Sequence, residues 1–518
     1  MNIADALDRN TIFFPGNDAL VEGDRLWSYV DFRRDADRFA HALVELGVGH
    51  GDRVAIFMGN SAEFAIVFYG ILKVGAIVVS VSSMCRCEEV DFMVNDCEAR
   101  VLLAGQSYLG EVPARDAMPL VEHVISVGTK APGASAAAAE LAAGVDHDFW
   151  TLLEGRPESF ATFNTDRDDG AEIIYTSGTT GKPKGVVLTH GNVTSNTYST
   201  VHETGITPED RNLCFLPMYH SFAQNFIFNG AIRGAAALLI LPKFDIEPVL
   251  KVMKEQRATR WHAVPTIYIL ILNHPDKQAV DEAFANVRFS FSAAASMPGE
   301  VARQWRERFG LKINEGWGLT ESTPSTTYNH QFRHKEGSVG TPIENVEVQV
   351  WDENDQPLSV GQVGQLVIKG PNVMKGYYNN PEATAESIVR GWLKTGDVGM
   401  MDEEGYFFIV DRIKDMVNSA GLKIWPREVE EVLYKHDAVA ECAVIGVPDP
   451  LFGENVKACI VLRSGAELGV EDVIVYCKTH LASYKAPKIV EFMEALPKSA
   501  TGKILKTELR RMASEGCE

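Results

Sequence analysis

Between residues 45 and 100 the chain alternates short apolar runs of strand character with a longer helix-like segment, reading DRVAIFM, then SAEFAIVFYGILKVGA, then IVVSVS. An unbroken apolar strand has to be covered on both faces. A segment joining two such strands must carry the chain back across the sheet, so the pattern predicts parallel sheets flanked by helices. It returns at 236–241, 288–294 and 311–314. The chain has 518 residues, and at roughly 150 residues per domain it should form about three folding units. The expected class is α/β.

After Glu344 the texture changes to short β-rich pieces punctuated by turns: VEVQVWDENDQPL, GQLVIKG and EGYFFIVDR. From Met416 strands and helices alternate again, with the amphipathic PREVEEVLYKH, the apolar ECAVIGV and a closing KILKTELRRM helix. These shifts predict a large multi-lobed N-terminal domain over 1–411 that includes a β-rich subdomain, and a small α+β C-terminal domain over 412–518. The Ala-rich stretch PGASAAAAELAAG at 132–144 is expected to be a surface helix or loop.

Lys and Arg total 49 against 70 Asp and Glu, a net charge of −21 that disfavours nucleic acid and anionic membrane as partners. Any anionic ligand must therefore meet donors that are local. The eight cysteines form no CxxC pair and no His-spaced cluster, as expected of reduced thiols. No apolar run reaches the ~18 residues of a membrane span, and the N-terminal MNIADALDRNTIFF lacks a basic segment leading into an apolar one. A cytoplasmic location without an integral membrane segment is the expectation, with monomer and homodimer both open.

The most informative segment is YTSGTTGKPKG at 175–185, preceded by AEII and followed by VVLTH. Its three glycines, run of hydroxyl side chains and two lysines would leave backbone N–H groups free to face an anion such as a polyphosphate. A solvated hairpin tip would use similar turn formers. It is not a Walker A loop: Gly178 precedes Gly181-Lys182 by only three residues, and Pro183 stands where Ser or Thr would be needed.

This segment resembles the phosphate-binding motif of the adenylate-forming superfamily of acyl-CoA synthetases, peptide-synthetase adenylation domains and luciferases. Further stations follow in the family's order over about residues 20 to 510: PMYH at 217–220, GWGLTE at 316–321, GYY at 376–378, WLKTGD at 392–397, DRIKD at 411–415 and PKSATGK at 497–503. The resemblance implies ATP, Mg2+ and CoA as cofactors and a mobile C-terminal domain hinged at Lys414. It implies Lys503, His220 and Thr176 as catalytic residues, with Glu321 and Thr176 at the metal. It implies a nucleotide site built from Thr176, Ser177, Gly178, Thr179, Thr180, Gly181, Lys182, Lys184, Ala294, Ala295, Ser296, Gly316, Trp317, Gly318, Leu319, Thr320, Asp397, Ile409, Arg412 and Lys503. The acyl pocket would use His220, Ser221, Phe222, Asn225, Ala293 and Trp317, and the pantetheine arm would pass Gly421, Lys423 and His220. At 292–298 the chain reads SAAASMP, with alanines where the family commonly has glycine.

A carboxylate is a poor acylating agent, and attack on the α-phosphate of ATP exchanges its oxide leaving group for AMP. The catalytic task is then to manage charge while two anions meet in line. Ser221 stands where amino-acid-activating relatives carry an aspartate, so an ammonium on the substrate would lie unpaired. No arginine is evident at the pocket for a second carboxylate, although Arg260 and Arg233 keep that reading open. A neutral fatty or aromatic monocarboxylic acid with CoA as acceptor is expected. Loading of an acyl-carrier protein is the alternative.

Overall fold

The computed structural model describes residues 1–129, 142–177 and 182–515. Its first sheet has eight strands with a parallel centre. Arg53–Phe57 pairs in parallel with Ile77–Val81 on one side and with Val101–Gly105 on the other. Every residue of Val101–Gly105 is buried, which is what a strand covered on both faces requires. The link between the first two strands is the helix Ala62–Lys73, buried throughout and opened by the Ser61 side chain, which accepts from the Phe64 N–H.

Ile77–Val81 also pairs in parallel with Gly170–Ser177, but Gly170–Ser177 and Pro183–Thr189 form an antiparallel hairpin. Only five residues, 178–182, separate the paired Ser177 and Pro183, far fewer than the dozen or so a parallel crossover needs. The candidate phosphate loop, 175–185, includes this connection.

A second sheet has nine strands. Ala237–Ile240, Arg211–Cys214, Arg260–Ala263, Phe289–Ser292 and Ile313–Gly318 lie side by side in parallel. Their carboxyl ends share one edge, and there the chain continues as Pro217–Ser221, Val264–Thr266, Ala293–Ser296 and Leu319–Glu321. The crevice outside the carboxyl ends of parallel strands is where such sheets bind ligands. The β-rich subdomain is a five-stranded antiparallel sheet that includes Gly364–Lys369, Trp392–Met401 and Phe407–Arg412.

One 3-10 turn, Ile413–Asp415, leads into the C-terminal part. There the long hairpin of Val439–Asp449 and Gly453–Leu462 is joined by Val417–Ser419, Leu422–Ile424 and Ile489–Phe492. The helices Pro426–Leu433 and Val470–His480 cover it, and Val417, Ile424, Val429, Val444 and Ile460 belong to a core separate from that of the large part. Residues 132–141 of the Ala-rich stretch lie outside the described residues. No described helix is long and apolar enough to cross a membrane.

A polar cluster ties the phosphate-loop strand to its neighbours. Glu172, 0% exposed on Gly170–Ser177, accepts from the Asn225 amide at 2.9 Å, and Asn225 in turn accepts from Asn229 at 2.8 Å. The Ser80 hydroxyl donates to Gln224 at 2.6 Å. Burial pushes the Glu172 carboxyl up to about 7, with the Asn225 and Gln224 amides pulling the other way. Glu172→Ala strands these buried amides and should lower the unfolding free energy by about 2 kcal/mol, whereas Glu172→Gln should retain most of it. Urea unfolding monitored by circular dichroism reads both variants.

Candidate active site

The strand Ile313–Gly318 runs into a 3-10 turn at Thr320–Ser322, and its glycines are demanded by close approach. A Cβ on Gly318 would lie 1.7 Å from the Pro324 carbonyl oxygen, and one on Gly316 would lie 2.7 Å from Cζ of Phe291. Trp317 lies between these two glycines. Its indole N–H donates to Asp397 Oδ2 at 2.7 Å, and Arg412 Nε reaches Oδ1 of the same carboxylate at 2.9 Å. Asp397 and Arg412 stand opposite each other in an antiparallel register, and Asp397 is 4% exposed. The adjacent Asp397 charge holds the Arg412 guanidinium above its ordinary value. A nearly buried carboxylate with a fixed tryptophan and arginine can receive a diol, because each oxygen keeps a lone pair free.

Beside this cluster, Tyr377 donates its hydroxyl to Glu321 Oε1 at 2.9 Å, and the Lys184 ammonium lies 5.1 Å from the Tyr377 ring centroid. Burial raises the Glu321 carboxyl, while the Tyr377 hydroxyl and Arg412 oppose that shift. Lys184 is in register with Thr176 on the paired strand, and Lys182 is exposed. Gly178, Thr179, Thr180 and Gly181 lie outside the described residues, as does the side chain of Ser177. Mg2+ needs one or two carboxylates when phosphate oxygens complete its shell, and the Glu321 carboxylate, held by Tyr377 with the Lys184 ammonium over the same ring, fits that demand.

The turn carrying Lys503 is built by local hydrogen bonds. Gly502 N donates to the Ser499 carbonyl at 2.8 Å, Ser499 N donates to the Lys503 carbonyl at 2.8 Å, and Lys503 N donates to Ser499 Oγ at 3.2 Å. Gly502 takes φ +85, and a Cβ there would come within 3.1 Å of Val264. The Thr266 hydroxyl donates to the Gly502 carbonyl at 3.1 Å, which seats this C-terminal turn on the large domain. Burial, with Arg412 and Lys414 next to it, lowers the Lys503 ammonium to about 8, and Asp397 and Asp415 moderate the shift. Burial, reinforced by the Lys503 charge, lowers His220 to about 4, so its imidazole is neutral. The structure therefore brings Lys503, His220, Asp397 and Arg412 into one field.

On the acyl side, the Ser221 and Thr320 hydroxyls are 3.1 Å apart, and Phe222 packs in an aromatic cluster. Ala293 and Ala294 are half-buried, whereas Ala295 and Ser296 are exposed. Ala294 adopts φ 68, a left-handed conformation that glycine holds without cost. Leu319 is half-buried beside Thr320, and the Ile409 carbonyl accepts from Arg427. Asn225 is fully buried, with its amide N–H donated to Glu172 and its amide oxygen accepting from Asn229.

Gly421 and Lys423 are not brought to this cluster. Both are exposed on the Val417–Ser419/Leu422–Ile424 hairpin, where Gly421 N donates to Asn418 Oδ1 at 3.1 Å and Lys423 pairs with Glu353 at 2.9 Å. Lys414 is exposed in its 3-10 turn. Sequence reasoning passed over Thr266 as a seat for the lysine turn and Tyr377 as the bridge to Glu321. Thr266 belongs to none of the motif stations above, and Tyr377 stands there only as one letter of GYY.

Comparison with known proteins agrees with this geometry. Residues 7–378 match the AMP-binding enzyme family, and residues 428–503 match the AMP-binding enzyme C-terminal domain. A long-chain-fatty-acid–CoA ligase of Bacillus subtilis (strain 168) is 34% identical, the match covering 98% of this chain and 93% of that protein. A feruloyl-CoA synthase of an Amycolatopsis species is also 34% identical, with 96% of each covered. The crystal structure of the anthranilate CoA ligase AuaEII in complex with anthranoyl-AMP superposes with a TM-score of 0.92 at 28% identity, covering 100% of this chain and 98% of that one. The chain thus belongs to the AMP-binding enzyme family, among the AMP-forming acid–thiol ligases.

Proposed function

We propose that the protein joins a neutral fatty or aromatic monocarboxylic acid to free CoA, with residues 1–411 as the adenylating body and 412–518 as a small domain pivoting at Lys414. The seating of the Gly502–Lys503 turn on Thr266, beside the Trp317–Asp397–Arg412 cluster, carries this reading. In the first half-reaction a carboxylate oxygen of the acid attacks the α-phosphorus of ATP, and pyrophosphate leaves. Lys503 supplies positive charge where it develops on the phosphoryl oxygens. Asp397 receives the ribose hydroxyls on lone pairs not used by Trp317 and Arg412. Lys184 and Thr176 serve the phosphates, and Glu321 would hold Mg2+, which when bound neutralises phosphate oxygen charge. Neutral His220 orients the acid without competing for it as a cation.

Substrate class follows from charge. Ser221 and Thr320 satisfy each other, so a substrate ammonium would find no carboxylate there. Arg260 is fully buried, with Nη1 on the Thr204 carbonyl at 3.1 Å and 3.6 Å from Asp210, and the Phe289 ring centroid 3.8 Å away; its Nε and Nη2 have no partner among the described residues, so it keeps a dicarboxylic acid as the second reading. Arg233 faces the Tyr198 ring. In the second half-reaction the small domain would rotate, withdrawing Lys503 and delivering Gly421 and Lys423 to guide the pantetheine thiol. A cytoplasmic setting accompanies this reading, in keeping with seven free cysteines among the described residues.

Incubation with ATP, Mg2+, CoA and a panel of fatty and aromatic acids should give AMP, pyrophosphate and acyl-CoA masses. AMP formed only when an acyl-carrier protein replaces CoA would overturn the choice of acceptor. Lys503→Ala should slow adenylation by about 10²- to 10³-fold. The Lys503 ammonium persists below its lowered value and is lost above it. The wild-type kcat/KM for ATP should therefore fall as pH rises through about 8, a limb that Lys503→Ala lacks. Lys414→Pro, which locks φ, should keep acid-dependent pyrophosphate exchange and abolish acyl-CoA release.

A further inference from the structure

Two groups of opposite charge, Lys184 and Glu321, reach the nucleotide region from different sheets. Lys184 lies on the strand Pro183–Thr189 of the eight-stranded sheet, and Glu321 lies in the 3-10 turn Thr320–Ser322 that follows a strand of the nine-stranded sheet. The segment 372–378 is threaded between them. Met374 N donates to the Glu321 carbonyl at 2.9 Å, while Lys375 N donates to the Val187 carbonyl at 3.0 Å and Tyr378 N to the Gly185 carbonyl at 2.7 Å. Gly376 and Tyr377 pair antiparallel with Val187 and Val186, and Tyr377 N donates to Thr384 Oγ1 at 2.9 Å. With its backbone fixed in this way, the Tyr377 side chain meets both charges. Its hydroxyl donates to Glu321 Oε1 at 2.9 Å, and the Lys184 ammonium lies over its ring, 5.1 Å from the centroid. Lys184 makes no ion pair with any described residue.

We infer that Tyr377 is a positioning residue for the metal ion and the triphosphate: its hydroxyl holds the Glu321 carboxylate in place, and its ring keeps the Lys184 ammonium from pairing with that carboxylate. The inference rests on the ligase reading above. A direct ion pair between Glu321 and Lys184 would cancel the negative charge that Mg2+ needs and the positive charge that the phosphates need. Attraction to the face of an aromatic ring steadies an ammonium without neutralising it. The hydroxyl occupies one oxygen of the carboxylate, and the other stays available to a metal ion.

The test uses the full-length protein and reads metal binding apart from turnover. Mn2+ is titrated into protein with ATP and no acid, and free Mn2+ is followed by electron paramagnetic resonance. Tyr377→Phe, which keeps the ring, should weaken Mn2+ binding by about 10- to 100-fold, the usual effect of removing a hydrogen-bond partner from a metal-ligating group. Acid-dependent pyrophosphate release by this variant should need correspondingly more Mg2+ and recover as Mg2+ is raised, a recovery that a merely structural role would not give. Glu321→Gln combined with Tyr377→Phe should weaken Mn2+ binding no more than Glu321→Gln alone, because the hydroxyl acts through the carboxylate. Tyr377→Leu also removes the ring, so it should weaken metal-free ATP binding as well, and adding Glu321→Gln should restore it. Melting temperatures verify that the variants fold. Wild-type Mn2+ affinity in folded Tyr377→Phe, or additive losses in its double variant, would overturn the role of the hydroxyl, and undiminished metal-free ATP binding by folded Tyr377→Leu would overturn the role of the ring; each result leaves the ligase reading intact. Absence of acid-dependent pyrophosphate release by the wild type with every acid would instead remove the ligase reading, and this inference with it.

Discussion

The Asp397 carboxylate, fixed between the Trp317 indole and the Arg412 guanidinium, is the interaction on which the rest of the site depends. It joins the nine-stranded sheet, which supplies Trp317, to the β-rich subdomain, which supplies both charged partners. A carboxylate so nearly buried is costly unless its oxygens are occupied, so the two sheets are pinned at one point by the need to satisfy it. Arg412 is the last residue of its strand, and the 3-10 turn Ile413–Asp415 begins immediately after it. The chain therefore passes into the C-terminal part directly beside this pinned carboxylate.

The C-terminal part meets the body through contacts of mixed strength: Arg427 donates its backbone N–H to the buried Asp411 carboxylate at 3.0 Å and its guanidinium to the Ile409 carbonyl, and the other contacts are slighter. Thr266 to Gly502, Arg463 to Asn273 at 3.0 Å and Lys423 to Glu353 are single bonds, several of them exposed, each worth about 1 kcal/mol or less. Shorter ion pairs lie within the C-terminal part: Arg510 pairs with Asp415 at 2.6 Å, and Lys506 pairs with Glu430 at 2.7 Å. The charge around Lys503 is likewise close to balance, with Arg412 and Lys414 opposed by Asp397 and Asp415. A lysine held by one large counter-charge would be expensive to withdraw, and a mixed field removes that cost from the domain rotation proposed above. Glu315 sits at the same seam, where burial drives its carboxyl up to about 8 and Arg427 of the moving domain opposes that shift.

Much of this was legible in the sequence because it is local. The apolar runs at 53–57, 77–81 and 237–240 announced buried parallel strands, and GWGLTE announced a glycine-flanked tryptophan before a carboxylate. Aspects that depend on contacts between distant segments were not legible. Nothing in WHAVPTIY says that Thr266 will meet the Gly502 carbonyl 236 residues later. Nor does the run SFAQNFIF after His220 say that the Asn225 amide will meet Glu172, 53 residues earlier. The antiparallel sense of the 170–189 hairpin could have been read from its short turn, because loop length decides pairing sense before side chains do.

One departure from the family's usual residues is the alanine run of SAAASMP at 292–298. Ala294 holds a left-handed conformation that costs roughly 1 kcal/mol or more for a residue with a Cβ. Such strain persists only where surrounding packing over-determines the backbone. Ala294 follows the strand Phe289–Ser292, whose Phe291 is locked by the Phe226 ring on one side and the bare Cα of Gly316 on the other.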